Sequence, residues 1–269
     1  MNIYAIKSDD TGDKALAYLL YFEKVKQFYI ELPDFANEWD TPLLLSSFVK
    51  RGKRTVNPYW SREWVRQRII PSDRQNIGNI LKANGLKEYD EHKLLLLADG
   101  RCAQDDCYIE PLKEEDLPDE IRKRFLTRVE DVIPSADNSI LVFFRDGTVK
   151  KCSLKPLCKD SRFEPILNNS SLLSSVKVQT DGLGITWGDN LDITAEELYA
   201  NGRKYNLSLA DFQSYAAACI TDTDGACALL KCSRQNISDL VKRGKLHPIR
   251  TFTSGYLFLL REIRQRLWQ

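Results

Sequence analysis

Hydrophobic and polar positions alternate with a period of two from Asn2 to Lys7, and again in two aromatic and β-branched runs between Leu16 and Leu32 that flank Glu23-Lys24-Val25-Lys26. Side chains alternate across a strand, so the pattern predicts a strand followed by a hairpin. Past Pro33, Pro42 and Pro58 the period changes. Trp64, Val65 and Arg68 stand at helical spacing within 61–69. Ile77, Ile80 and Leu81 stripe a helix expected to begin at Ser72 or Asp73 and stop at Gly85, and a short helix over 91–98 leads to Gly100. Residues 105–125 are acidic, contain Pro111 and Pro118, and mark a domain boundary.

Beyond the boundary the runs shorten. Strands are expected at 128–133, 139–144 and 148–154, with Asp146-Gly147 as a hairpin turn in which both residues take φ > 0. Further strands follow at 176–180 and 184–187. A helix at 194–200 opens with Thr194 as its cap and Glu196 and Glu197 in its first turn. Ser208 with Asp211 then reads as a capping box for a helix whose inner face is Leu209, Phe212, Tyr215 and Cys219. Thr221 is the expected cap of a second helix. Ser233 caps a third, in which Ile237, Leu240 and Val241 turn inward and Gly244 supplies the left-handed stop. Two short strands around Thr253-Ser254-Gly255 and a closing helix with Ile263 and Leu267 inward complete the tail. Phe212, Leu229, Leu230, Ile237, Leu240, Val241, Leu257, Ile263 and Leu267 are its expected core.

The predicted fold class is α+β, in three small domains: an α+β module at 1–112, a hairpin-bearing α+β domain at 125–202, and a winged helix-turn-helix at 203–269. Composition changes little in this picture. The chain has 269 residues, 43% hydrophobic and 29% charged, near the average for folded domains. No apolar run approaches the roughly 18–20 residues a membrane helix needs. Asp9 and Asp10 occupy the place of a signal peptide's apolar core, so a cytoplasmic protein is expected.

Charge changes more. The net charge is +1, yet residues 231–269 carry nine lysines and arginines against two acids, and residues 50–82 repeat that balance, a net of +7 each. Such polarity suits surfaces that meet phosphate. Arg234, Gln235, Asn236, Ser238 and Lys242 on the outer face of the third tail helix have the donors and acceptors that read base edges in the major groove, and Ser233 stands at its N-terminus. Arg243, Lys245, Arg250 and Tyr256 are placed for the backbone or minor groove. Arg51, Lys53, Arg54, Arg62, Arg66 and Arg74 form a second basic set. The segment 73–86 also aligns without gaps on 233–246, sharing Arg-Gln-Asn-Ile.

Catalytic chemistry has little to stand on. There are two histidines, His92 and His247, and no Walker A, G-x-S-x-G, H-E-x-x-H or G-x-G-x-x-G pattern. The seven cysteines include no C-x2-C pair and read as reduced thiols, so no metal, no cofactor and no enzymatic activity are expected.

Three segments resemble known families. The hairpin followed by "RIIPSDRQNIGNILKANGL…LLLLADGRCAQDDCYI" is similar to the region that precedes the kinase core in HipA-like proteins, which implies a binding or assembly module and, without a kinase catalytic loop, no phosphoryl transfer. "FFRDGTVKKCSLKPL", "FEPILNNSSLLSSV" and "GITWGDNLDITAEELY", within 128–202, resemble the family catalogued as domain of unknown function 2442, with Gly188-Asp189-Asn190 where that family has Asn-Gly. That resemblance implies a small α+β domain, often found beside helix-turn-helix domains or encoded near toxin-like partners. Residues 220–267 are similar to the excisionase and MerR-like helix-turn-helix family: threonine, acidic residues, Leu229-Leu230, Ser233-Arg234-x-x-Ile237, Gly244-x-Leu246, Pro248, then a Gly-aromatic hairpin. Gly225 stands where that family has alanine, which is expected to loosen its helix by up to about 1 kcal/mol. The function expected is non-enzymatic binding of double-stranded DNA, as a transcriptional regulator or excisionase-type factor and compatible with a homodimer. The alternative is an antitoxin-like or adaptor protein that holds a protein partner through residues 1–202.

Overall fold

The alternating opening segment is β1 (Asn2–Ser8), and the two runs beyond it form a hairpin of β2 (Ala17–Phe22) and β3 (Gln27–Glu31), with Phe22 opposite Gln27. The computed structural model describes residues 1–135, 137–157, 161–188 and 191–268; Cys158, Asp189 and Asn190 lie outside the described residues. Two compact units, Met1–Lys123 and Arg124–Gln269, divide the chain, and the segments 125–202 and 203–269 both belong to the second. The fold is mixed α and β, and among the described residues the strands form four separate antiparallel sheets. No helix among those residues is long and apolar enough to cross a membrane.

In the first unit α1 (Leu43–Lys50) leads to β4 (Thr55–Val56), which pairs with β3. Asn57 then caps α2 (Pro58–Arg66) by accepting from the Trp60 N–H at 3.0 Å, and Pro58 at the first helical position has no N–H to leave unpaired. Next come α3 (Ile77–Ala83), α4 (Glu91–Leu97) and β5 (Cys107–Leu112), which closes the sheet in the order β4-β3-β2-β1-β5. Leu45, Phe48, Trp64, Val65, Leu94 and Leu95 of the helices pack on Tyr4, Ile6, Leu19, Phe28 and Ile30 of the sheet. Helix α3 starts later than expected. Asn76 takes a left-handed conformation (φ 67°), so Arg74, Gln75 and Asn76 are not helical and the likeness of 73–86 to 233–246 does not extend to structure at its Arg-Gln-Asn part. Arg68 is buried on the Trp64 ring, 3.7 Å away, and ion-pairs with Asp105, whose other oxygen accepts from the Cys107 N–H at 3.1 Å.

Helix α5 (Asp119–Leu126) carries the chain into the second unit, whose main sheet is the meander β6 (Val129–Ser135), β7 (Ser139–Phe144), β8 (Val149–Ser153). The β7–β8 turn differs from the expected one: only Gly147 has positive φ (83°), and its N–H reaches the Phe144 carbonyl while Phe144 N–H bonds to Thr148. The bond pattern is that of a type I turn closed by a left-handed glycine, with Asp146 outside the left-handed region and its carboxylate bonded locally. It accepts from Thr148 N–H (2.9 Å), Thr148 hydroxyl (2.7 Å) and Tyr199 hydroxyl (2.7 Å). Short helices α6 (Glu164–Leu167) and α7 (Ser170–Ser174) precede a small sheet of β9 (Lys177–Val178), β10 (Gly184–Thr186) and β11 (Asp192–Thr194). Thr194 and Glu197 form a reciprocal capping box on α8 (Ala195–Asn201), and β12 (Arg203–Lys204) returns to the free edge of β8.

The tail consists of α9 (Leu209–Cys219), β13 (Ile220–Asp222), α10 (Thr223–Leu230), α11 (Arg234–Lys242), β14 (Arg250–Phe252), β15 (Gly255–Leu259) and α12 (Leu260–Trp268). Ser208 and Asp211 make the expected capping box. The inner face of α9 is shorter than expected, since Leu209 and Phe212 are 74% and 57% exposed while Tyr215 and Cys219 pack on Ile133, Leu141 and Phe143. A register shift between Val129 and Asp131 re-aims the next carboxylates of β6. Glu130 binds Arg261 at 2.6 Å; Asp131, fully buried, accepts from the Tyr215 hydroxyl at 2.8 Å and ion-pairs with Arg264. Burial pushes the Asp131 carboxyl up from its ordinary range, against the opposing pull of Arg264 and Tyr215.

The Asp131→Ala substitution strands a largely buried guanidinium and the hydroxyl of the half-buried Tyr215, so it is expected to lower the stability of the chain by about 3 kcal/mol in urea titration. A loss below about 0.5 kcal/mol would mean that this pair does not hold α9 and α12 on β6.

Candidate nucleic-acid interface

The candidate surface is built on a small core of Ala226, Ile237, Leu246, Phe258 and Ile263, all but inaccessible, with Leu230, Leu240 and Val241 packed at its margin. Phe212, Leu229 and Leu267, expected in this core, are exposed, while the neighbouring Trp268 is buried outside that cluster. The closing helix turns its Ile263 side to the core and its Arg261 and Arg264 side to β6, so a single-sided reading of its apolar residues misplaces its last turn. Asp222, not Thr221, caps α10, through the Gly225 N–H at 2.8 Å; Thr221 belongs to β13 and pairs with Phe258. Gly225 also leaves no room for a side chain where the family has alanine. A Cβ there would lie 2.0 Å from the Thr221 hydroxyl oxygen.

Ser233 caps α11 by accepting from the Asn236 N–H, 3.3 Å away. At the other end Gly244 (φ 63°) donates to the Val241 carbonyl and Lys245 N–H to that of Leu240, the paired bonds of a Schellman stop. With Ile237 anchored inward, the opposite face presents Gln235, Asn236, Lys242 and Arg243, all exposed, and Lys245 just beyond it. Strands β14 and β15 form a hairpin with Phe252 opposite Gly255, and β15 also pairs with β13. Arg250 is exposed on β14 with its guanidinium 4.8 Å from the Phe252 ring centre. Among the described residues no carboxylate is paired with Lys242, Arg243, Lys245 or Arg250.

Three of the residues expected to face DNA are instead engaged within the protein. The Arg234 guanidinium clasps Asp224 with two donors, its Nε at 2.7 Å and an Nη, which holds the Asp224 carboxyl below the usual carboxylate range. Ser238 shares a 3.1 Å hydrogen bond with the Tyr256 hydroxyl, and the Tyr256 N–H donates to the Thr223 hydroxyl at 2.8 Å. No periodicity within one helix could reveal these contacts, because each joins a different pair of elements. The adjacent acids Glu130 and Asp131 within an apolar strand are a signal of buried charge, as is Glu31 at the end of β3.

The second basic set lies in the first unit and is largely engaged as well. Arg62 and Arg66 of α2 both bind Glu91 at the start of α4, at 2.7 and 3.2 Å, and Arg66 also binds Glu63. Arg51 donates to Ser47 and lies over the Phe48 ring, and Arg54 donates to the Ala36 carbonyl. Lys53 is half-buried, and Arg74 is exposed in the turn before α3. The two histidines are each occupied locally: His92 stacks on Tyr21 and shares a hydrogen bond with the Tyr4 hydroxyl, while His247 contacts Glu262. Burial lowers the His92 pKa. Cys107 and Cys219 are buried thiols pushed up to about 12, and among the described residues no cluster of three or more His, Cys, Asp or Glu could hold a metal ion.

No curated protein and no solved structure matches this chain. Residues 129–204, from the start of β6 to the end of β12, match the family model described as protein of unknown function, DUF2442.

Proposed function

We propose that the chain is a non-enzymatic, cytoplasmic protein that binds double-stranded DNA, as a transcriptional regulator or excisionase-type factor. In this reading 203–269 is a winged helix-turn-helix, α11 enters the major groove, and the β14–β15 hairpin is the wing against the backbone. The observation that carries the reading is one surface: Gln235 and Asn236 exposed beside Lys242, Arg243, Lys245 and Arg250, cations without carboxylate partners among the described residues. Amide side chains can bridge adenine N6 and N7, and unpaired cations can neutralise phosphates. The order of elements, with a strand, two helices, a hairpin returning to that strand and a closing helix, agrees with the excisionase and MerR-like resemblance of 220–267.

A second reading has its own observation. Trp39 and Leu43 in the first unit are 86% and 90% exposed, which suits a protein contact and hence an adaptor or antitoxin-like role for residues 1–202, in line with the HipA-like resemblance of the first third.

Selection of duplexes from a random pool by the full chain tests the proposal. Gln235→Ala and Asn236→Ala are expected to relax base preference, by about 1–3 kcal/mol at the position each reads, and Arg250→Ala to weaken every duplex alike. Enrichment of no duplex overturns the proposal, and control of base preference by Arg250 alone overturns the placement of α11 in the groove.

A further inference from the structure

Arg234 opens α11, and Asp224 is the second residue of α10. Between them lie the rest of α10, Lys231 in a left-handed conformation (φ 52°), and the cap Ser233. The Arg234–Asp224 clasp therefore ties the N-terminal turns of two successive helices across the turn that joins them. It is bidentate, through Nε and an Nη, so it fixes direction as well as distance. Arg234 also lines a cleft of about 210 Å³ with Thr223, Asp224, Phe252, Ser254 and Tyr256, between the start of α10 and the tip of the hairpin. Its charged end is thus directed along the protein surface toward α10 and the hairpin. The exposed Gln235 and Asn236 follow it directly in the first turn of α11.

We infer that Arg234 is a positioning residue of the DNA-reading surface, one that sets α11 against α10 through Asp224, and that base discrimination at the start of α11 comes from Gln235 and Asn236. This inference rests on the DNA-binding reading proposed above. Tyr256 supplies the companion strut, bonded to Thr223 on α10 and Ser238 on α11, so α10, α11 and the hairpin are held as a triangle. The sign of the effect separates positioning from simple electrostatics. Removing an acid beside DNA strengthens binding and removing a base weakens it, whereas loss of either half of a strut weakens binding.

The test is a cycle in the full chain: Asp224→Ala, Arg234→Ala, the double variant, and the exchanged pair D224R/R234E. Each is measured for affinity, for base preference on selected duplexes, and for its thermal midpoint. Both single variants are expected to weaken preferred and random duplexes by one common factor, about fivefold, with preference unchanged. The double variant is expected to be no weaker than either single one, and the exchanged pair to restore affinity. The midpoint follows the same order with shifts of about 1–3 °C. The inference is overturned if Arg234→Ala flattens preference at one base pair, if Asp224→Ala strengthens binding, or if the single effects add. If the wild-type chain binds no duplex, the DNA-binding reading fails, and with it Arg234's part in reading; the midpoint cycle then still reports whether the clasp acts as a unit.

Discussion

A carboxylate without solvent must be paired, and the second unit is arranged around one. Asp131 sits fully buried on β6, and it takes partners from different helices, the Tyr215 hydroxyl from α9 and the Arg264 guanidinium from α12. Neither helix can move off the strand without leaving charge or a hydroxyl unsatisfied in the interior. Because α12 carries Ile263 on its other side into the core with Ala226, Ile237 and Phe258, the constraint is passed on to α10, α11 and the hairpin. The strand that begins the segment matching the unknown-function family is therefore also the seat of the tail.

The same pairing rule sorts the arginines. The tail's excess of basic residues overstates the charge it can offer a polyanion, because Arg261 and Arg264 bind β6 acids and Arg234 is held by Asp224. On one helix end and one hairpin strand Lys242, Arg243, Lys245 and Arg250 are left outward, with Lys231 exposed apart from them at the end of α10. In the first unit Arg62, Arg66 and Arg68 have likewise been recruited by Glu91, Glu63 and Asp105. Charge counted along a sequence measures potential partners of both kinds, internal and external, and only the fold divides them.

Local pattern carried much of the architecture. The alternation of Asn2–Lys7, the runs around Glu23-Lys24-Val25-Lys26, the Thr194 cap, the Ser208 capping box and the Ile237 stripe with its Gly244 stop all reappear as expected, since each is decided within a few residues. What pattern missed is non-local. Phe212 looks like core in its own helix, yet it is exposed, and α9 packs on β6 and β7 through Tyr215 and Cys219. At Gly225 the pattern gives the cost of a glycine in α10 but not that the Thr221 hydroxyl occupies the space of its missing Cβ. Arg234 looks like a base reader because the acid that claims it is ten positions away on another helix. The late start of α3 was hidden because residues 73–76 share their composition with the opening of α11, where Ser233 supplies the cap; in α3 a left-handed Asn76 without a side-chain cap bond stands instead.

The central claim is that this surface meets the phosphate backbone of a duplex, and the salt dependence of full-chain binding tests it most directly. With four outward cations neutralising phosphates, log K is predicted to fall linearly with log salt at a slope of about −4. A flat dependence, or no duplex binding at about 50 mM salt, would contradict it.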